Sequence, residues 1–161
     1  MSNKILLTGG YGFLGEWVYQ KLLENGYKEN DIFRFRSKDY DLTKQDDTQK
    51  LFNEFKPDSV IHLAARVGGI GANKENPGKF FYDNMIMGVN VVESSRINNV
   101  KEFIQVGTVC SYPKFCTVPF KETDIWNGYP EETNAPYGIA KKALNVMLEG
   151  YSKQYNLKSM V

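Results

Sequence analysis

The sequence predicts an α/β fold, a parallel sheet doubly wound by helices, and three observations carry that expectation. Short apolar runs of strand length alternate with longer stretches whose apolar residues recur at helical spacing. Each stretch is closed by a turn or breaker residue before the next run begins. Glycines at positions 9, 12 and 15 stand where the first run gives way to the first helical stretch. A chain of 161 residues with 42% hydrophobic and 14% aromatic content has enough apolar material for one packed domain over residues 1–161, and too little for two.

The elements follow in order. Lys4 to Leu7 form the first strand, and Phe13, Leu14, Trp17, Val18, Leu22 and Leu23 mark one face of the first helix. Asp31 to Phe35 read as a second strand. Thr43 is placed to cap a helix carrying Leu51, Phe52 and Phe55, which Pro57 and Asp58 end. Ser59 to Ala65 form the third strand, running into a glycine-rich loop from Val67 to Asn73. A long helix spans about Pro77 to Asn98, and Glu102 to Val106 are the fourth strand. Gly107 to Pro136 form a long loop, a second long helix reaches about Tyr155, and Leu157 to Val161 begin another strand. Strands and helices alternating in this way imply right-handed parallel βαβ units.

Composition excludes several classes. A net charge of +1 provides no basic field for nucleic acid. No apolar run reaches the roughly 18 residues of a membrane span, and the N-terminus lacks a signal-peptide pattern, so no membrane partner is expected. Cys110 and Cys116, without ligand spacing and with one histidine in the chain, predict free thiols, a cytoplasmic location and no metal. His62, inside the third strand, reads as a core histidine.

The glycine turn is the first functional signal. In a Rossmann-type unit the first glycine turns the chain, the second admits backbone N–H groups to a pyrophosphate, and the third lets helix and strand pack closely. Gly9, Tyr11, Gly12, Phe13, Leu14 and Gly15 are therefore candidate cofactor-binding residues, as are Leu63, Ala64 and Ala65 at the end of the third strand. The end of the second strand reads Arg34-Phe35-Arg36-Ser37-Lys38, where NAD binders carry an acid for the ribose 2′-hydroxyl. Cations and a hydroxyl suit a 2′-phosphate instead, so NADP is the expected cofactor, with Arg36, Ser37 and Lys38 near it and Asp41 and Leu42 beyond. Asp39 and Asp41 keep NAD as the alternative.

Tyr137 and Lys141 are the second signal. Four residues apart on a helix, they share a face, and the ammonium is expected to draw the phenol down from its usual value near 10 toward working pH. Thr108, just past the fourth strand, is placed to hydrogen-bond a substrate oxygen.

Thr108, Tyr137 and Lys141 match the Ser/Thr–Tyr–Lys set of the short-chain dehydrogenase/reductase family, and the glycine spacing resembles its extended, sugar-nucleotide branch. Four stretches, Ser37 to Thr43, Ala65 to Asn73, Cys110 to Lys114 and Asn127 to Lys141, are similar to the epimerase/reductases that convert GDP-4-keto-6-deoxymannose to GDP-L-fucose. The resemblance implies a GDP-sugar or other nucleotide-sugar substrate, NADPH as hydride source, Tyr137 as proton donor and Lys141 as holder of the nicotinamide ribose. It implies Cys110 as an acid/base for epimerisation, and a homodimer formed through the two long helices, where Phe80, Phe81, Met85, Ile86, Val89 and Val92 form an apolar stripe. The branch's 4,6-dehydratases carry Asp-Glu after the threonine, where this chain has Val109 and Cys110, so dehydration is not expected. A simple 4-epimerase, or a non-catalytic NADP(H)-binding module, is the alternative. The resemblance also implies a second, substrate-gripping lobe and a catalytic histidine beyond residue 161, so the chain is expected to be truncated.

Overall fold

The computed structural model describes residues 3–161. Five parallel strands, β1 (Ile5–Thr8), β2 (Ile32–Phe33), β3 (Ser59–His62), β4 (Glu102–Gln105) and β5 (Lys158–Met160), form a sheet of order β2-β1-β3-β4-β5. Between them run α1 (Phe13–Glu24), α2 (Gln45–Phe55), α3 (Ile70–Glu75), α4 (Pro77–Ile97) and α5 (Ala135–Tyr155).

Side-chain alternation sorts the strand residues between two unequal faces. Leu6, Val60 and Phe103 point into the main core with Leu51 and Phe52 of α2, Val91 and Val92 of α4 and Leu148 of α5. Leu7 and Ile32 face the other way, against Tyr19, Val18 and Leu22 of α1. Right-handed crossovers explain the division. The chain moves one way from β1 to β2 and the other way for every later connection, which puts α1 alone on its face.

The helices α4 and α5 pack closely at Gly88, where an added Cβ would lie 2.1 Å from Cδ1 of Leu144. Farther along, the Tyr151 hydroxyl donates to Glu93 at 2.9 Å, and Arg96 forks onto the same carboxylate at 2.9 and 2.6 Å.

Local differences from the sequence reading have physical causes. The second strand pairs only through Ile32 and Phe33, because Asp31 belongs to a 3-10 turn and Arg34 turns back toward α1. Thr43 does not cap α2. Its hydroxyl donates to Asp41 at 2.7 Å, and the helix begins at Gln45 with Lys44 as its cap residue. The glycine-rich loop contains α3, and the long loop after β4 contains 3-10 turns at Val109–Ser111 and Glu122–Trp126.

Candidate active site

The site is built where the winding reverses. In open α/β sheets the crevice at such a switch point lies outside the carboxyl ends of the flanking strands, here β1 and β3. A cleft of about 650 Å³ occupies that position.

Glycine makes its floor. Gly9 has φ +69°, and a Cβ there would sit 2.8 Å from the backbone nitrogen of Ala64, so β1 and β3 can approach only without a side chain. At Gly15 a Cβ would fall 2.2 Å from the Gly9 carbonyl oxygen, which makes this glycine the condition for α1 to start so close to the turn. Gly12 donates its N–H to Gly9 at 2.9 Å, and no side chain caps α1, leaving its first-turn N–H groups and partial positive charge for an anion.

Gly9, Gly12 and Gly15 line the cleft together with Phe13 and Leu14 of α1. Leu63, Ala64 and Ala65 line it from the end of β3, and Ser37, Asp41 and Leu42 from the segment after β2. Leu42 is also a core residue, 5% exposed. Asp41 takes the Thr43 N–H at 3.0 Å on the same oxygen that accepts its hydroxyl, and these bonds hold its carboxyl below the usual carboxylate range.

Tyr11, Arg36 and Lys38 do not line the cleft, although the sequence places them with the cofactor. All three are exposed, and the Tyr11 ring has the guanidiniums of Arg34 and Arg36 over it. Arg34, the other cation of that segment, is committed elsewhere. Its Nη1 donates to Glu16 at 2.7 Å and to the Gly10 carbonyl at 3.2 Å, and it lies over the Tyr19 ring.

The second half of the site lies one strand over, beyond β4. Gly138 brings it together. An added Cβ there would lie 2.1 Å from the Cys110 carbonyl oxygen, so the loop after β4 rests directly on the first turn of α5. Ser111, buried, fastens the contact by donating to the Gly138 carbonyl at 3.0 Å. Thr108, Cys110 and Tyr137 meet there, each half-buried, above a buried Lys141. Thr108 Oγ1 accepts the Cys110 N–H at 3.2 Å, and its hydroxyl also hydrogen-bonds Tyr137.

The electrostatics correct one expectation. Tyr137 is raised, not lowered: burial is the main cause, the Thr108 hydroxyl works against it, and Cys110 adds to it. Lys141 is 3% exposed, and burial pushes its ammonium down to about 8. Among the described residues no carboxylate pairs with it. Its charge is felt instead by His62, which burial first and Lys141 second push down to about 3. His62 is held by Thr8, whose Oγ1 lies 2.7 Å from Nδ1 and accepts the Ala64 N–H at 3.1 Å. With its value at about 3, the imidazole is neutral.

Sequence reasoning missed Arg66, which lines the cleft from just past β3. Asn84 grips its backbone at both N–H and carbonyl, at 2.9 Å each, while buried Asp83 pairs with its guanidinium. A cation directly after a strand's carboxyl end was the available signal. Phe35, Tyr40 and Met87 also reach the lining, and only the folded chain brings them there.

A doubly wound sheet with a glycine cradle at its switch point and a Thr–Tyr–Lys set beside it defines the short-chain dehydrogenase/reductase class. Comparison with known proteins narrows this. Residues 5–161 match the model of the NAD dependent epimerase/dehydratase family, and the chain belongs to that family. It is 36% identical over 158 residues to a GDP-L-fucose synthase of Dictyostelium discoideum, covering 98% of this chain and 49% of that protein. Among solved structures, a GDP-mannoheptose C4 reductase from Campylobacter jejuni with NADP bound superposes with a TM-score of 0.92 at 30% identity, over 99% of this chain and 47% of that one. A UDP-glucose 4-epimerase of Thermus thermophilus in complex with NAD gives 0.78 at 27% identity, over 97% and 53%. The chain therefore spans about half the length of the relatives it matches.

Proposed function

We propose that this chain is the coenzyme-binding, proton-donating part of an NADPH-dependent nucleotide-sugar epimerase/reductase acting on a GDP-linked 4-keto-6-deoxy sugar, with GDP-4-keto-6-deoxymannose to GDP-L-fucose as the reaction. The observation that carries this is the meeting of Thr108, Cys110 and Tyr137 over buried Lys141, one strand from a glycine-floored cleft. The residues fit the cofactor. Gly9 and Gly15 leave space that a side chain would fill, and the uncapped start of α1 presents N–H groups where a pyrophosphate would lie. Gly12, Phe13 and Leu14 would hold that end, with Asp41 and Leu42 at the other wall. A nicotinamide coenzyme bound there would supply hydride for the C4 carbonyl carbon.

The chain's own residues handle the proton. Raised by burial, Tyr137 is a neutral phenol at working pH and gives its proton to the carbonyl oxygen as negative charge develops there. Thr108, hydrogen-bonded to Tyr137 beforehand, turns its hydroxyl to the same oxygen. Lys141, one turn along the same helix, would hold the nicotinamide ribose. Epimerisation requires a proton to leave a carbon beside the ketone and another to arrive on the opposite face. Cys110 is one of the two acid/base groups this needs.

The higher TM-score with the GDP-sugar reductase than with the UDP-glucose 4-epimerase favours reduction over simple 4-epimerisation. We propose further that it is cytoplasmic and forms a homodimer through α4 and α5. The test is fluorescence titration with NADPH beside turnover of the keto sugar, using wild type and Tyr137→Phe. The expected outcome is unchanged NADPH affinity with turnover reduced by at least about a hundredfold. A Tyr137→Phe variant that reduces the sugar as fast as wild type removes the catalytic assignment.

A further inference from the structure

We propose that Tyr11 determines coenzyme choice, by holding the Arg36 guanidinium at the mouth of the cleft as the binding group for a 2′-phosphate. This rests on the coenzyme reading above. Tyr11 belongs to the glycine turn by sequence, yet its ring is 46% exposed and lies outside the cleft lining. Two cations approach the ring, the guanidinium carbons of Arg34 and Arg36 each standing 4.5 Å from its centroid.

The two cations are not equivalent. Arg34, with its side chain 14% exposed, is spent on Glu16, the Gly10 carbonyl and the Tyr19 face. It stands against the same ring, and Gly10 makes room for it, since a Cβ there would lie 2.7 Å from Arg34 Cγ. Arg36 has the ring as its side-chain contact, and no carboxylate pairs with its guanidinium among the described residues. The nearest acid, Asp39, is turned to the Arg36 backbone N–H at 3.1 Å. Its neighbour Ser37 lines the cleft, which puts the Arg36 backbone beside that space.

A guanidinium flat against a ring keeps its N–H edge open, the geometry that takes a phosphate through two parallel hydrogen bonds. Stacking also removes much of the freedom a long exposed side chain would lose on binding. The opposite preference lacks its acceptor. Asp41 is the carboxylate in the cleft, and one of its oxygens already serves both the N–H and the hydroxyl of Thr43.

The experiment titrates this chain with NADPH, NADH, adenosine 2′,5′-bisphosphate and AMP, comparing wild type with Tyr11→Leu, Tyr11→Phe, Arg36→Ala and the double variant. Arg36→Ala is expected to weaken both 2′-phosphorylated ligands by at least about tenfold and leave NADH and AMP unchanged. Tyr11→Leu keeps the bulk without the ring and is expected to cost about fivefold for the same two ligands. Tyr11→Phe retains wild-type affinity, and Tyr11→Leu adds nothing once Arg36 is gone. Equal weakening of NADPH and NADH by Tyr11→Leu, or no change in their ratio, overturns the assignment while leaving the coenzyme reading intact. A wild-type chain that binds none of the four overturns both.

Discussion

Lys141 and Tyr137 show how far a pair of residues can be read from spacing. Their sharing of one helix face was legible, but the direction of the tyrosine's shift was not. Burial acts on both groups and favours the neutral form of each, so the phenol rises and the amine falls. The lysine's position carries a stability consequence. Its folded value of about 8 lies below the ordinary 10.5, so the folded state releases this proton first as pH rises. Between those values the unfolded chain binds more protons, and stability increases with pH; below about 8 the full cost of burying the charge is present. Lys141→Met should therefore stabilise the fold by roughly 2–3 kcal/mol at neutral pH, with the gain shrinking toward pH 10. Urea unfolding at the two pH values checks this, and an equal gain at both would assign the effect to packing alone. His62 acts with the same sign in an acid window. Held neutral at about 3, it resists protonation while the unfolded histidine accepts it near 6.5, so stability falls as pH drops between these values. His62→Asn should flatten that acid limb in a pH series of thermal melts.

At the scale of an element, α5 shows why a glycine's neighbours matter more than its helix. Gly138 and Gly150 lie in the same helix, and propensity alone says that alanine improves either by about 0.5–1 kcal/mol. Gly150 has nothing within 4 Å of an added Cβ, and Gly150→Ala should realise that gain. At Gly138 the added carbon meets the Cys110 carbonyl at 2.1 Å, a backbone atom that cannot swing aside. Gly138→Ala should cost about 1–3 kcal/mol instead and pull the Thr108–Cys110 loop off Tyr137. Paired thermal melts of the two variants give opposite signs, and a gain at both positions would refute the close contact. The boundaries of α4 and α5 were legible because long amphipathic runs with a proline in the first turn have few competing readings. The start of α2 was not. Thr43 has the right chemistry for a cap, but Asp41 competes for its hydroxyl at shorter range.

For the whole molecule, winding decides what remains exposed. Phe80 and Val92 of the apolar stripe on α4 turn into the core, while Phe81 and Tyr82 stay at the surface, 38% and 61% exposed. On α5, Ile139 and Val146 lie seven residues apart on one face, and Ile139 shares an apolar pocket of about 400 Å³ with Phe81. That combined surface supports the proposed dimer. Val146, 53% exposed, can accept a charge at little cost to the fold, so Val146→Glu should convert a dimer to a monomer in sedimentation without lowering the melting temperature. An unchanged sedimentation coefficient would remove α5 from the interface. The opposite side of the sheet is covered by α1 alone among the described helices, which leaves Ile104 at 39% and Met160 at 67% exposure at the far strands.

By itself, the sequence determined the alternation of strands and helices, the glycine turn and the Tyr–Lys face. Each of these is written in local spacing, where a residue's near neighbours along the chain decide the outcome. The tertiary structure alone decided which cations are spent and which stay free, that burial raises the phenol, and that Arg66, Tyr40 and Met87 reach the cleft beside the glycines. Desolvation and the pairing of charges depend on what distant segments bring within a few ångströms, and that proximity exists only once the strands are in register.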